Sequence, residues 1–447
     1  MCRIKRALVA VALSVPLFAL CAESDSVTVK KNEFDLDLDF LAHGEMVRGG
    51  LPVTRNKQDE NQSNFLLGRT RIIMGYKRQR LETRAVLQNL AVWGTEKNME
   101  IGLYEAWAKM TAKIGVFGQV GRVALSYDDE RIIGTNDFAM ASLSHDVVIA
   151  GYEGHGHKVH AIFAYNQNES NVYKSTYYND GAQNYKTMQT VWYHCDVPKF
   201  PLGVSLLFMN VGLQSGKPDE SYNPPTTEYQ QMYGGYLNFH PKYVRFEASY
   251  YRQAGKIVHP HYKAAAKIEA WMVSGKATIT PSKYYGFVAG YDRLSGDDYV
   301  PVIYGGKAGL PFHAVNKGFT PLYGSRTKFY GILDYFYESA FINGFTPGLQ
   351  NAFLGVNGKP LSKMALSATY HYLAVATELN GLSSTLGHSL DIQASYNFTD
   401  YISLEAGYTV MFGTETMQRL KQANSSDVAH WAWISLTVSP TLFKTKF

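Results

Sequence analysis

Apolar and polar residues take turns along much of this chain, in stretches of about ten residues. The cleanest is 390–398, where Leu390, Ile392, Ala394, Tyr396 and Phe398 fall on one face and Asp391, Gln393, Ser395 and Asn397 on the other. The next stretch repeats the rule, with Ile402, Leu404, Ala406, Tyr408 and Val410 opposite Ser403, Glu405, Gly407 and Thr409. Period two predicts strands with one apolar and one polar face. A soluble sandwich would turn the apolar face inward, and a membrane barrel the polar one.

The connections separate these cases. Short links at 399–400, 240–242, 280–283 and 358–362 alternate with long polar ones at 51–62, 128–145, 171–185, 214–228 and 413–429. Periplasmic turns and extracellular loops of a barrel produce that alternation. Strand candidates begin near Phe34, Ser63, Thr83, Met99, Lys113, Asp146, Lys158, Lys186, Leu202, Tyr229, Val244, Lys267, Tyr284, Lys328, Gly348, Lys363, His388, Tyr401 and Trp431. Single-chain bacterial barrels have even strand numbers, so one candidate fails. The stretch from Tyr284 ends on the outer side, and the one from Gly348 must run to a short inner turn. Nothing can span between them, so 297–347 is read as one outer loop that contains Lys328, and eighteen strands remain. A loop of that length is usually functional.

The N-terminus gives the compartment. Arg3, Lys5 and Arg6 precede an apolar run at 7–22, broken by Ser14 and Pro16, and then come Glu23 and Asp25. This is the pattern of a cleaved signal peptide at 1–22, too short for a spanning helix. Acylation of Cys21 is the weaker alternative, because Leu20 suits the preceding position poorly. No other run reaches the ~18 apolar residues of a membrane helix, and only closure satisfies a sheet's backbone in lipid. The expected fold class is therefore all-β, a single transmembrane antiparallel β-barrel of about eighteen strands over 23–447. With 23–33 too short for a plug domain, plugged energy-coupled transporters are set aside.

Composition agrees. The 32 Tyr, 23 Phe and 39 Gly suit aromatic girdles and tight turns, as they also suit aromatic-rich sandwiches. Of three Cys, Cys195 alone lies outside the leader, so no disulfide framework is expected. The net charge of +5 falls to +2 when Arg3, Lys5 and Arg6 leave, with 40 basic residues against 38 acidic, so bulk charge announces no nucleic acid or other polyanion.

The stretch 121–138, GRVALSYDDERIIGTNDF, resembles a signature of the alginate export family of outer-membrane barrels. The positions are Gly121, Arg122, Tyr127, Asp128, Asp129, Arg131, Gly134, Thr135, Asn136, Asp137 and Phe138; Val123 and Phe138 stand where that pattern usually has Gln and Trp. The stretches at 104–107, 329–337, 387–391 and 407–408 are similar to further family segments in the same order. The resemblance implies an eighteen-strand channel for polysaccharide, insertion machinery that reads the C-terminal Phe447, and a possible periplasmic partner.

Phase nominates the lumen residues. Arg69 and Arg71 oppose Ile72 and Met74, Arg84 and Gln88 oppose Ala85 and Leu87, and Arg245 and Glu247 oppose Val244 and Phe246. A charge facing lipid at midplane costs about 2–4 kcal/mol, so these faces are expected inside. Arg69, Arg71, Arg84, Arg122 and Arg131, close to Glu105, Asp128 and Asp129, could form an arginine wall that passes an acidic sugar chain by successive weak contacts. The blander reading is that such charges solvate the lumen, or pair with acids such as Glu105, Glu247, Glu269 and Glu405. The histidines at 155–160 fall on a short inner turn, and His259 and His261 in an outer loop. Neither group has the spacing of a hydrolase or zinc site. The expected function is passive passage of hydrophilic or saccharide solutes across outer-membrane lipid, without cofactor or catalysis. A general diffusion porin, a surface adhesin and a rim-located hydrolase are the alternatives.

Overall fold

The computed structural model describes residues 32–49, 62–95, 100–168, 177, 184–215, 226–258, 265–297, 315–331, 346–379, 381–421 and 428–447. The signal-peptide reading, His259 and His261 lie outside these residues. The period-two stretches become β1 (Glu33–Arg48), β2 (Gln62–Arg78), β3 (Leu81–Val92), β4 (Glu100–Thr111), β5 (Val116–Val123), β6 (His145–Gly154), β7 (His157–Tyr165), β8 (Thr187–Asp196) and β9 (Leu202–Ser215). They continue as β10 (Thr226–Phe239), β11 (Val244–Val258), β12 (Ala270–Ile279), β13 (Tyr285–Leu294), β14 (Leu349–Leu361), β15 (Met364–Ala374), β16 (Thr385–Asn397), β17 (Ile402–Gly413) and β18 (Ala429–Val438). After Ser439 and Pro440, the segment Thr441–Lys446 carries β18 on. Expected and observed strand starts agree within three residues. Lys328 sits in a short 3-10 turn, Arg326–Lys328, outside the wall, as phase required.

Each strand pairs antiparallel with the next. The ring closes where Phe40 to Arg48 meets Val438 to His430, and where Glu33 meets Lys446. A closed ring of eighteen leaves no open edge, which is what lets a sheet cross lipid. Prolines confirm the rule by their places. Pro440 interrupts β18, and Pro360 lies where the β14–β15 register shifts, so neither removes a donor from the regular ladder.

The outward face is greasy along its length. Val148, Leu206 and Leu354 are 53%, 56% and 62% exposed, and they share strand parity with Ala150, Phe208 and Val356. Such a belt suits hydrocarbon, and the wall is that of a membrane-spanning barrel.

The inward face departs from expectation. Phase led us to expect water along it everywhere, but between β6 and β13 it also carries a layer of large apolar side chains among its polar ones. Ile149, Ile162, Met188, Met209, Val211, Met232, Met272 and Leu294 all point inward and are almost wholly buried. What covers them is chain from the outer loops, including Leu125, Ile132, Ile133, Tyr185, Phe319 and Tyr323. Runs such as Leu206-Leu207-Phe208-Met209 thus serve lipid on one side and folded loop on the other. Each such side chain buried contributes about 1.5–3 kcal/mol toward keeping the loops inside.

Candidate functional site

Two loop segments, 124–144 after β5 and 315–331 before β14, turn into the barrel and zip together. Ile133 bridges Tyr323 in parallel, Gly134 N donates to Tyr323 O (2.8 Å), Tyr323 N to Ile132 O (3.0 Å), and Ser325 N to Glu130 O (2.9 Å). Glu130 accepts from Ser126 and Ser325 (2.6 Å each) and from Lys328. Burial works against its charge, but these donors hold its carboxyl below the usual range. Asp128, Glu130, Asn136 and Ser142 adopt left-handed φ of 55°, 65°, 48° and 56°. Strain of this kind persists only where surroundings over-determine the backbone.

At one end the loop is held by the wall's arginines. Arg71 donates to Asp137 Oδ1 (2.9 Å), to Ser142 Oγ (2.8 Å) and, through Nε, to Gln88 (2.8 Å), and its guanidinium lies 4.1 Å from the Tyr104 ring centre. Arg69 reaches Asp137 (3.2 Å) and its backbone carbonyl (3.1 Å), with Asp39 at 3.7 Å. Burial would raise the Asp137 carboxyl, but Arg69 and Arg71 bring it below the ordinary aspartate range. Next to it Phe138 meets Trp433, His43 and Trp431 edge-on, at 5.2, 5.4 and 5.8 Å.

At the other end the loop supplies the arginine. Arg131 is buried, contacts Asp129 (3.2 Å) and Asp292 (3.1 Å), donates to Tyr330 Oη (3.0 Å) and stacks on Phe329 at 4.0 Å. Burial opposes its charge, yet Asp292, Tyr330 and Asp129 keep it firmly protonated. Asp292 also accepts from Ser274 (2.6 Å) and Asn351 (2.9 Å), Asn351 Oδ1 lies 2.9 Å from His371 Nδ1, and His371 is 3.5 Å from Asp391. This polar chain runs across the inner faces of β12 to β16.

The other expected site residues are placed as follows. Arg84 pairs with Glu105 inside the barrel (3.2 Å), and Trp107 Nε1 donates to Glu105 (2.9 Å). Asp128 accepts from Trp192 (3.2 Å), and burial raises its carboxyl. Asp129 caps the backbone N–H of Arg131 (3.0 Å). Glu247 takes Lys276 (2.7 Å) and the Tyr236 hydroxyl (2.6 Å), with Arg245 on the same inner face of β11. Arg122 is a correction. It shares parity with outward Val120 and forms a bidentate pair with outward Asp146 (2.7 and 2.8 Å), so it lies at the outer rim and not in the lumen. The Gly-Arg pair has a backbone reason: Gly121 has φ 130°, and a Cβ there would fall 2.1 Å from the Ala106 carbonyl. The arginine wall is corrected too. Every arginine in it carries an ion pair: Arg69 and Arg71 grip the inward loop, and Arg131, on that loop, grips Asp292 of the wall. Phase missed Glu130, Asp137 and Asp292, each of which has a charged partner far away in sequence; Glu130 and Asp137 stood within the 121–138 stretch.

Between the turn 128–131, the segment 327–331 and the inner faces of β11 to β16 lies a cavity of about 580 Å³. Gly331, at φ 89°, opens one side, where a Cβ would sit 3.5 Å from Ser389 Oγ.

No family model and no curated protein matches the chain, so the alginate export resemblance rests on its motif residues alone. Solved structures do match. Pseudomonas aeruginosa OccK11 (OpdR) is similar at TM-score 0.58 and 12% identity, over 92% of this chain and 96% of that one. Acinetobacter baumannii OccAB1 is similar at TM-score 0.57 and 11% identity, over 92% and 97%. At such identity the likeness is one of fold, the closed eighteen-strand barrel of outer-membrane porins.

Proposed function

We propose that the protein is a passive outer-membrane channel for small hydrophilic solutes, with its bore set by the two inward loops. The observation that carries this reading is the grip on residues 124–144 from both ends, by Arg69 and Arg71 at one and by Asp292 at the other. A loop fixed so firmly inside a barrel narrows a conduit; an adhesin would present its loops outward. The porin fold of the neighbours supports the same class, and no chemical step is part of it. The finer reading is short oligosaccharides. The motif residues at 121–138 favour saccharide, and a cavity of about 580 Å³ lies within the ~300–1,000 Å³ of pockets for small ligands, which favours short oligomers over a wide polymer. Liposome swelling with a size series of neutral sugars tests it. Small sugars should enter and larger oligomers should fail; no swelling with any sugar would leave the adhesin reading standing.

A further inference from the structure

We infer that this channel prefers cations, and that Asp128 and Glu247 are its specificity-determining residues for solutes bearing an ammonium or guanidinium group. The inference rests on the channel reading and deepens it. Six carboxylates line the cavity: Asp128, Asp129, Glu130, Glu247, Asp292 and Asp391. Against them stand three permanent cations, Arg131, Lys276 and Lys328. Each cation is already committed, Arg131 to Asp129 and Asp292, Lys276 to Glu247, and Lys328 to Glu130. The balance is negative by three charges, and it stays negative even with His371 protonated. Of the arginines outside the cavity, Arg69 and Arg71 are spent on Asp137 and Arg84 on Glu105, and Arg122 faces out; Arg245, inward beside Glu247, brings the surplus of negative charge there down to two.

A net charge at a narrow, low-dielectric constriction acts on every ion that passes. The same wall shows what it accepts: it already holds one guanidinium, that of Arg131, between two carboxylates and the Phe329 ring. A passing cation would meet the same chemistry in exchangeable form at Asp128 and Glu247, two lining carboxylates that take no part in holding Arg131. Asp128 is held by the neutral Trp192 donor, and Glu247 shares its charge with Lys276. One unbalanced unit charge at roughly 7 Å in water changes local ion concentration by about threefold, and salt screens it.

The test uses the full chain in planar bilayers at low ionic strength under a KCl gradient. The wild type should give a reversal potential on the potassium-selective side. The double variant Asp128→Asn/Glu247→Gln should lower the potassium-to-chloride ratio about threefold or more. Lys276→Met should raise it, and this opposite sign separates charge from general damage; heat-modifiable gel migration reports folding of both. L-arginine should interrupt the current more than L-glutamate. Chloride preference, or a ratio unmoved by both variants, overturns the inference while leaving the channel intact. A folded wild type with no conductance instead removes the channel reading itself.

Discussion

The inward loop is fastened at two places with reversed polarity. At 137–142 the wall supplies guanidinium groups and the loop a carboxylate that is 54% exposed on its side chain; at 129–131 the loop supplies the guanidinium, and Asp292 of the wall is 2% exposed. The first grip joins two buried guanidinium groups to a carboxylate open to water and is shared among several donors, so losing one member leaves others. The second is dry and centred on one side chain, with Asp129, Asp292, Tyr330 and Phe329 all converging on Arg131. Dry pairs are costly to break because the remaining partner keeps a buried charge. The second grip is therefore the keystone of the inward fold, and the first is a tether.

That contrast can be broken in graded steps. Arg131→Met keeps the packing against Phe329 but strands two carboxylates, and should cost about 3–5 kcal/mol in urea unfolding, with larger and noisier single-channel currents. Arg69→Gln with Arg71→Gln weakens charge-assisted bonds only, so about 1.5–3 kcal/mol and a smaller rise in conductance are expected. Lys328→Met removes a half-exposed partner of Glu130 and should stay within about 1 kcal/mol. Arg122→Gln, on the outer rim, should leave conductance and ion selectivity unchanged, which a lumen position would not allow.

Acid should act on the tether and on Glu130, whose carboxyl is likewise held below the usual range by its donors. The folded Asp137 carboxyl is depressed by Arg69 and Arg71, so its contribution is present above the ordinary aspartate range and is lost as pH falls through the depressed value. Current noise from loop release should appear only on that acid side. In Asp137→Asn it should be present at neutral pH.

The wall was legible in the sequence because strand parity is local. Leu390 and Ile392 can be put on one face, and Asp391 and Gln393 on the other, without knowing any partner. The same logic put Lys328 outside the wall. It failed where partners are distant: Arg131 and Asp292 are brought together only by closure, and parity cannot say that Met209 or Met272 would be covered by a folded loop. Arg122 was put in the lumen by its motif and not by parity, which along β5 gives Val120 and Arg122 the same outward face. What the chain hides is which side of a barrel its loops choose.

The most direct test is single-channel conductance of the wild type beside Arg131→Met in the same bilayers and salt. The account expects small, steady wild-type openings and clearly larger ones in the variant. Equal conductance in two folded proteins would contradict the claim that the gripped loop sets the bore.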